Sequence, residues 1–448
     1  MKKFNPTFYQ HIIYTLIINR FILSFFLLIC FNYFINMEFF MVRIFITLLF
    51  CSFFMNLNLL SQDEKRDKGQ FINHRSEYWN EIKKAVDEFE KPDKEIKKVF
   101  KMDLSGKIIP KSTEEFNQQW HNEPVSQGWS GMCWNYSTTS MFESEIFRIF
   151  GKKIKISELH TTYWEYVEKA RGFIRSRGNT LFAEGSEANA VMRIWKQYGC
   201  VPAEIFTGLK PNQKHHGHEK MFNEMNDYLQ SVKKSNSWNE EIAIQTIKSI
   251  LNYYLGEPPK EFKYEGKNYT AQQFLKDIVK LNMDDYVDVM SLLQKPYFEK
   301  VEYEVPDNWW HNEDYHNVPL DEFMTAIKSA VKAGYTMEIG GDVSEAGYSS
   351  HSDVAMIPSF DIPSEYIDEN ARQFRFSNNT TQDDHGIHIV GYKEMDGDYW
   401  FLIKDSGSGA RDGANKGYYF YHEDYIKLKM LTFCVHKDAV KDLLKKFK

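Results

Sequence analysis

The sequence predicts an α+β protein in which helices come first and strands last. Three observations carry this. After Cys133, apolar residues recur at helical spacing: Phe142, Ile146, Ile149 and Phe150 fall at i, i+4, i+7 and i+8. Residues 205–330, rich in Lys, Glu and Asn, hold further helical stretches at 221–232, 240–255 and 271–279. From Tyr335 the pattern alternates instead, and strand-like runs return at 399–405, 418–421 and 430–435. Helices followed by strands, rather than alternating with them, indicate α+β.

Residues 1–61 are a different material from the rest. Two apolar runs, 21–35 and 44–55, flank a polar break. Read literally they are two short membrane helices. A start near Met37 or Met41 gives a basic n-region at Arg43, an apolar h-region at 44–55 and a small residue, Ser61, near a cleavage point. We therefore expect an export signal and a periplasmic or secreted protein, with a membrane anchor as the alternative. Residues 62–126 form an N-terminal extension. Its charged first part spaces Phe71, Tyr78, Trp79, Ile82, Val86 and Phe89 as an amphipathic helix packed on the body, either a permanent extension or an inhibitory propeptide.

At 448 residues the chain is long enough for a large core or two domains, and 16% aromatic content argues against disorder. The formal net charge is -7, with Lys and Glu interspersed, so no basic face for nucleic acid is expected. Of five cysteines, Cys30 and Cys51 lie in the apolar runs, and Cys133, Cys200 and Cys434 are widely spaced without a C-x-x-C pair. Neither a disulfide framework nor a zinc ribbon is supported, and a single Cys200–Cys434 bond stays open. His215, His216 and His218 fall in a polar loop. That cluster is read as solvated rather than metal-binding, and His311, Asp314 and His316 follow later in the same stretch.

The chemistry-bearing stretch is Gln127–Phe150. Gly128, Ser130 and Gly131 make a tight turn, Cys133 follows, and a helix runs on to a stop at Gly151. Cys133 thus sits at a helix N-terminus, where unpaired N–H groups and the macrodipole favour an anion, as a thiol nucleophile requires. Gln127 on the same turn offers an amide donor to a developing oxyanion. Further on, Glu184-Gly185-Ser186 opens a helix over Ala190, Val191, Ile194 and Trp195 that ends at Gly199, with Pro202 beyond. A cysteine nucleophile needs a histidine and a group to orient it. Residues 384–392 offer His385 and His388 on opposite faces of one strand. A two-residue Asp396-Gly397 turn puts His388 opposite Asp405; a five-residue loop over 393–397 puts His385 there. Local rules allow both.

Gln-Gly-x-x-Gly-x-Cys-Trp at 127–134 resembles the active-site segment of papain-like cysteine peptidases. The segments at 184–202 and 338–343 resemble the bleomycin hydrolase and aminopeptidase C branch. The resemblance implies a two-lobed papain-like fold over 127–448, with 205–330 as a helical insertion. It also implies a peptidase needing no metal or organic cofactor, with peptides as substrates and a hexamer as the assembly. Aligned on Val390-Gly391-Tyr392, His385 takes the catalytic position, and Asp405 matches the orienting asparagine. Gly185 and Trp134 are the substrate-binding candidates. The sequence departs at 405–409, Asp-Ser-Gly-Ser-Gly, where the family has Asn-Ser-Trp-Gly and a shielding tryptophan. That departure motivates a competing reading, an inactive papain-like protein that binds peptides. In bleomycin hydrolases the C-terminus lies in the cleft, and the tail 437–448 ends near a similar point.

Overall fold

The computed structural model describes residues 77–89 and 99–447, in two units, Met1–Lys97 and Lys98–Lys448. The apolar runs of residues 1–61, with Cys30 and Cys51, lie outside the described residues. No helix among the described residues is long and apolar enough to cross a membrane. The first unit contributes α1 (Glu77–Phe89).

In the second unit the helical lobe holds α2 (Cys133–Phe150), α3 (Glu158–Arg175), α4 (Ala188–Tyr198), α5 (Glu219–Ser235), α6 (Glu240–Leu255) and α7 (Ala271–Phe274). Ser157 caps α3 through the His160 N–H, and Asn239 caps α6 through the Ile242 N–H. Helix α2 lies at the centre and is buried all round from Trp134 to Ile146. Such a helix has no polar face, so its polar residues are satisfied inside. Asn135 Nδ2 donates to Glu158 O at 2.6 Å, and Glu143 Oε1 accepts from the Ile156 N–H at 2.9 Å. The expected apolar stripe is therefore only half a stripe. Phe142 and Ile146 are buried, but Ile149 and Phe150 are exposed, because the last turn of α2 runs clear of its neighbours before Gly151 (φ 65°) stops it.

The β lobe is one sheet. Its strands are β1 (Asn117–Gln118), β4 (Tyr286–Met290), β5 (Glu299–Val301), β6 (Tyr315–Asn317), β7 (Met337–Gly341), β8 (Tyr348–Ser349), β9 (Val354–Ala355), β10 (His385–Met395), β11 (Asp398–Lys404), β12 (Tyr418–His422) and β13 (Met430–His436); β2 (Phe262–Tyr264) and β3 (Lys267–Tyr269) form a separate hairpin. The order β5-β6-β4-β13-β7-β10-β11-β12-β9-β8 is antiparallel except at β4–β6 and β9–β12, and β1 pairs β10. Strands β4–β6 come from within 205–330, so that stretch feeds both lobes. Strand β7 runs through Gly340 and Gly341. A Cβ at Gly341 would lie 2.4 Å from Lys429 O, so the glycine lets the backbone after β12 approach.

The β10–β11 hairpin corrects both registers considered for it. The turn is the two-residue Asp396–Gly397, with φ of 55° and 95°, yet His388 faces Lys404 rather than Asp405. A bulge between Ile389 and Gly391 moves the register by one residue. It sits where β1 crosses, with the Gln119 N–H on Val390 O at 2.8 Å. Cys200 and Cys434 are buried free thiols, so the disulfide left open is not formed. Among the described residues the tail packs on the β lobe away from the cleft. Val440 and Leu443 join the core of the β lobe, and the Phe447 ring packs on His316 with centroids 4.8 Å apart. His316 is on β6, four strands from β10, roughly 19 Å at the usual strand spacing.

Candidate active site

The turn before α2 is clamped from three sides. The Gln127 N–H donates to Ser406 O at 3.0 Å, which ties the turn to the end of β11. The Gly131 N–H donates to Glu184 Oε2 at 2.7 Å. On the third side Trp129 N–H donates to His216 O at 2.8 Å, and the His218 N–H returns to Trp129 O at 3.0 Å. His216 and His218 are thus buried beneath the turn, not solvated as expected. Burial, and then the neighbouring histidine, holds His216 down at about 4 and His218 at about 3, so both are neutral.

Cys133 opens α2, half-buried, and Met132 before it supplies no side-chain cap, so the helix end stays unsatisfied by any side chain. Gln127 Oε1 accepts from Ser406 Oγ at 2.7 Å, while Nε2 donates to Ser130 O at 2.6 Å. The amide is thereby oriented, with one N–H to spare.

His385 begins β10. Its Nε2 lies 2.9 Å from Asp405 Oδ1, which leaves Nδ1 for Cys133, whose thiol is within hydrogen-bond reach of the ring. Burial alone would lower the imidazole pKa. The charge and hydrogen bond of Asp405, with Cys133 beside them, outweigh it and raise the pKa well above the usual histidine range. Asp405 is buried too, yet His385, the Gly407 N–H at 2.6 Å and the charge of Arg411 hold it below the ordinary carboxylate range. His388 points to the other face. It is fully buried, with Nδ1 2.9 Å from Ser140 Oγ; burial, then Lys404, then His121 hold it well below the usual range.

Of the remaining candidates, Gly185 lies beside Lys169, whose Nζ donates to its carbonyl. Trp134, expected against substrate, is only 2% exposed. Its ring N–H reaches Glu184 O at 3.3 Å, so it supports the strip leading to Gly185 rather than forming the groove wall. Arg411 was not foreseen. Gly407 stands where the shielding tryptophan was expected, and Arg411 Nη1 donates to Gly407 O at 2.6 Å over the His385–Asp405 pair. Nothing in the spacing of a Gly-rich loop points to that arginine.

The chain is 24% identical over 272 residues to an aminopeptidase C of Streptococcus thermophilus, covering 50% of this chain and 60% of that one. It therefore spans about three fifths of the length of such relatives. An aminopeptidase C of Listeria monocytogenes is 21% identical over 413 residues, 80% of this chain and 92% of that one. The solved PepW structure from Lactobacillus rhamnosis shares the fold, with a TM-score of 0.58 at 19% identity over 74% of this chain and 86% of that one. Residues 70–448 match the Peptidase C1-like family, a span that takes in both lobes and every candidate residue from Gln127 to Asp405, and the chain belongs to that family.

Proposed function

We propose that the chain is a cysteine peptidase of aminopeptidase type. The Cys133 thiolate attacks a peptide carbonyl, the His385 imidazolium protonates the leaving amine, and the neutral ring then activates water against the acyl-enzyme. The spare Gln127 N–H and the Cys133 backbone N–H hold the oxyanion. Asp405 fixes the ring and favours its charged form. The observation that carries this reading is the part-buried His385–Asp405 pair, 2.9 Å apart, with the Cys133 thiol at the start of α2 close enough to act on the same ring. The aminopeptidase preference rests on the names of the relatives.

The test is labelling by a peptide vinyl sulfone. Wild type and His388→Ala are expected to label, and Cys133→Ala and His385→Ala are not. Labelling that survives Cys133→Ala overturns the assignment. Labelling lost in His388→Ala but kept in His385→Ala reassigns the base. Export through residues 1–61 and assembly into a homo-oligomer, a hexamer by resemblance, are further parts of the proposal. N-terminal sequencing of protein from the cell envelope or medium and light scattering test them.

A further inference from the structure

Beside Cys133 the two lobes bring carboxylates together from four separate segments. Glu187 follows Gly185 by two residues and precedes α4. Asp383 precedes His385 by two residues. Glu338 lies on β7 in register with His388, and Asp307 lies in the loop between β5 and β6. Asp307 presses so close to Gly185 that a Cβ there would lie 1.9 Å from its Oδ2. Glu338 feels the charge of Cys133 directly, and its Oε1 is 3.4 Å from Ser137 Oγ on the first turn of α2.

What is missing is positive charge. None of the four carboxylates makes an ion pair among the described residues. The cation closest in effect, Lys169, acts on Asp307 and, more weakly, on Glu187, while its amine is held by the Ala183 and Gly185 carbonyls. Glu187 is 6% exposed. Its Oε2 accepts from the Tyr315 hydroxyl at 3.2 Å, but its Oε1 is buried and has no hydrogen-bond donor. That oxygen looks toward Asp383, which keeps partial access to solvent. Burial, then Asp383, raises Glu187 well above the carboxylate range; burial, then Asp307, pushes Asp383 up to about 7. A buried carboxylate without a partner is costly, and a cation that arrives with the substrate relieves it.

We propose that Glu187, Asp383 and Glu338 form a recess beside Cys133 that binds a cationic group of the peptide substrate. The group is an ammonium or guanidinium. It comes from the α-amine of the first residue or from a lysine or arginine side chain near the scissile bond. This rests on the peptidase reading above and deepens it.

The experiment uses aminomethylcoumarin amides, because the coumarin is the leaving group and every peptide residue then lies on the acyl side. Leu-coumarin against acetyl-Leu-coumarin isolates the α-ammonium. Acetyl-Lys-Leu-coumarin against acetyl-Leu-Leu-coumarin isolates the side chain. Wild type is expected to favour the cationic member of at least one pair by tenfold or more in kcat/KM. That ratio is expected to fall at least tenfold in Glu187→Gln and in Asp383→Asn. Because the readout is a ratio within one preparation, a partly unfolded variant does not imitate it, and labelling of Cys133 by the vinyl sulfone reports the folded fraction. No preference in wild type, or a ratio unchanged in both variants, overturns the recess while leaving the peptidase intact. Absence of turnover and of labelling in wild type sinks the peptidase reading and the recess with it.

Discussion

Gly128 is the position where one methyl group reaches from backbone geometry to catalysis. Its φ is +67°, and a Cβ there would lie 2.4 Å from His216 O and 2.9 Å from His216 N. An L-residue in the left-handed region costs about 1–2 kcal/mol. Bringing the oxygen contact out to ordinary distance, 3.4 Å, takes about 1 Å of movement against a buried backbone. Overpacking of that kind costs roughly 1–3 kcal/mol, so Gly128→Ala is expected to lose about 2–5 kcal/mol in all. The displaced element carries Gln127, and a misplacement of that size is expected to lower kcat/KM about 100-fold, chiefly through kcat. Gly151→Ala is the control. Its φ is +65° with nothing within 4 Å of the added carbon, so it should lose only about 1–2 kcal/mol and keep wild-type turnover. Urea unfolding and coumarin-amide kinetics on the two variants make the measurement. If Gly128→Ala matches Gly151→Ala in both, the clamp by His216 does not position the oxyanion donor.

The other expected outcomes concern the histidines and their surroundings. In Asp405→Asn the amide oxygen still accepts from Nε2–H, so kcat/KM at its optimum should fall less than about tenfold. The charge that opposed burial is gone, however. The His385 pKa falls, and activity needing the imidazolium is lost at lower pH than in wild type; an alkaline limb that stays put or moves up refutes the assignment. The same pair has a stability window. A raised His385 contributes below the unfolded value of about 6.5 and loses its effect as pH rises through the folded one; a lowered Asp405 contributes above about 3.9 and fades as pH falls. Urea unfolding should therefore show the largest Asp405→Asn destabilisation between about pH 4 and 6.5. His388→Gln disturbs a buried contact with Ser140 and should cost roughly 1–3 kcal/mol, while vinyl sulfone labelling of Cys133 slows less than about threefold. Arg411→Met removes the donor to Gly407 O and a charge beside Asp405, so kcat/KM should drop about tenfold with KM little changed.

Which of these features is legible in the sequence follows from how far apart their determinants lie. The turn from Gln127 to Cys133 and the helix stop at Gly151 are set within a few residues. Glycine placement and capping chemistry reach that far. The exposure of Ile149 and Phe150 is not local, because a helix buried all round is defined by what surrounds it. The register of β10 against β11 is a sharper case. Alternation correctly separates His385 from His388, and the turn type is right for a two-residue loop. Yet the register differs by one residue at Val390, where β1 arrives from more than 270 residues earlier. Neither turn rules nor periodicity within a hairpin contain that strand. The buried histidines, His216 and His218, escape for the same reason, since a polar loop reads as solvated until a tryptophan backbone closes over it. The acidic recess is the extreme. Glu187, Asp307, Glu338 and Asp383 share no motif, and in sequence each is an ordinary charged residue. Only the closing of the two lobes denies them counter-ions and turns four solvated charges into a demand for an incoming positive one.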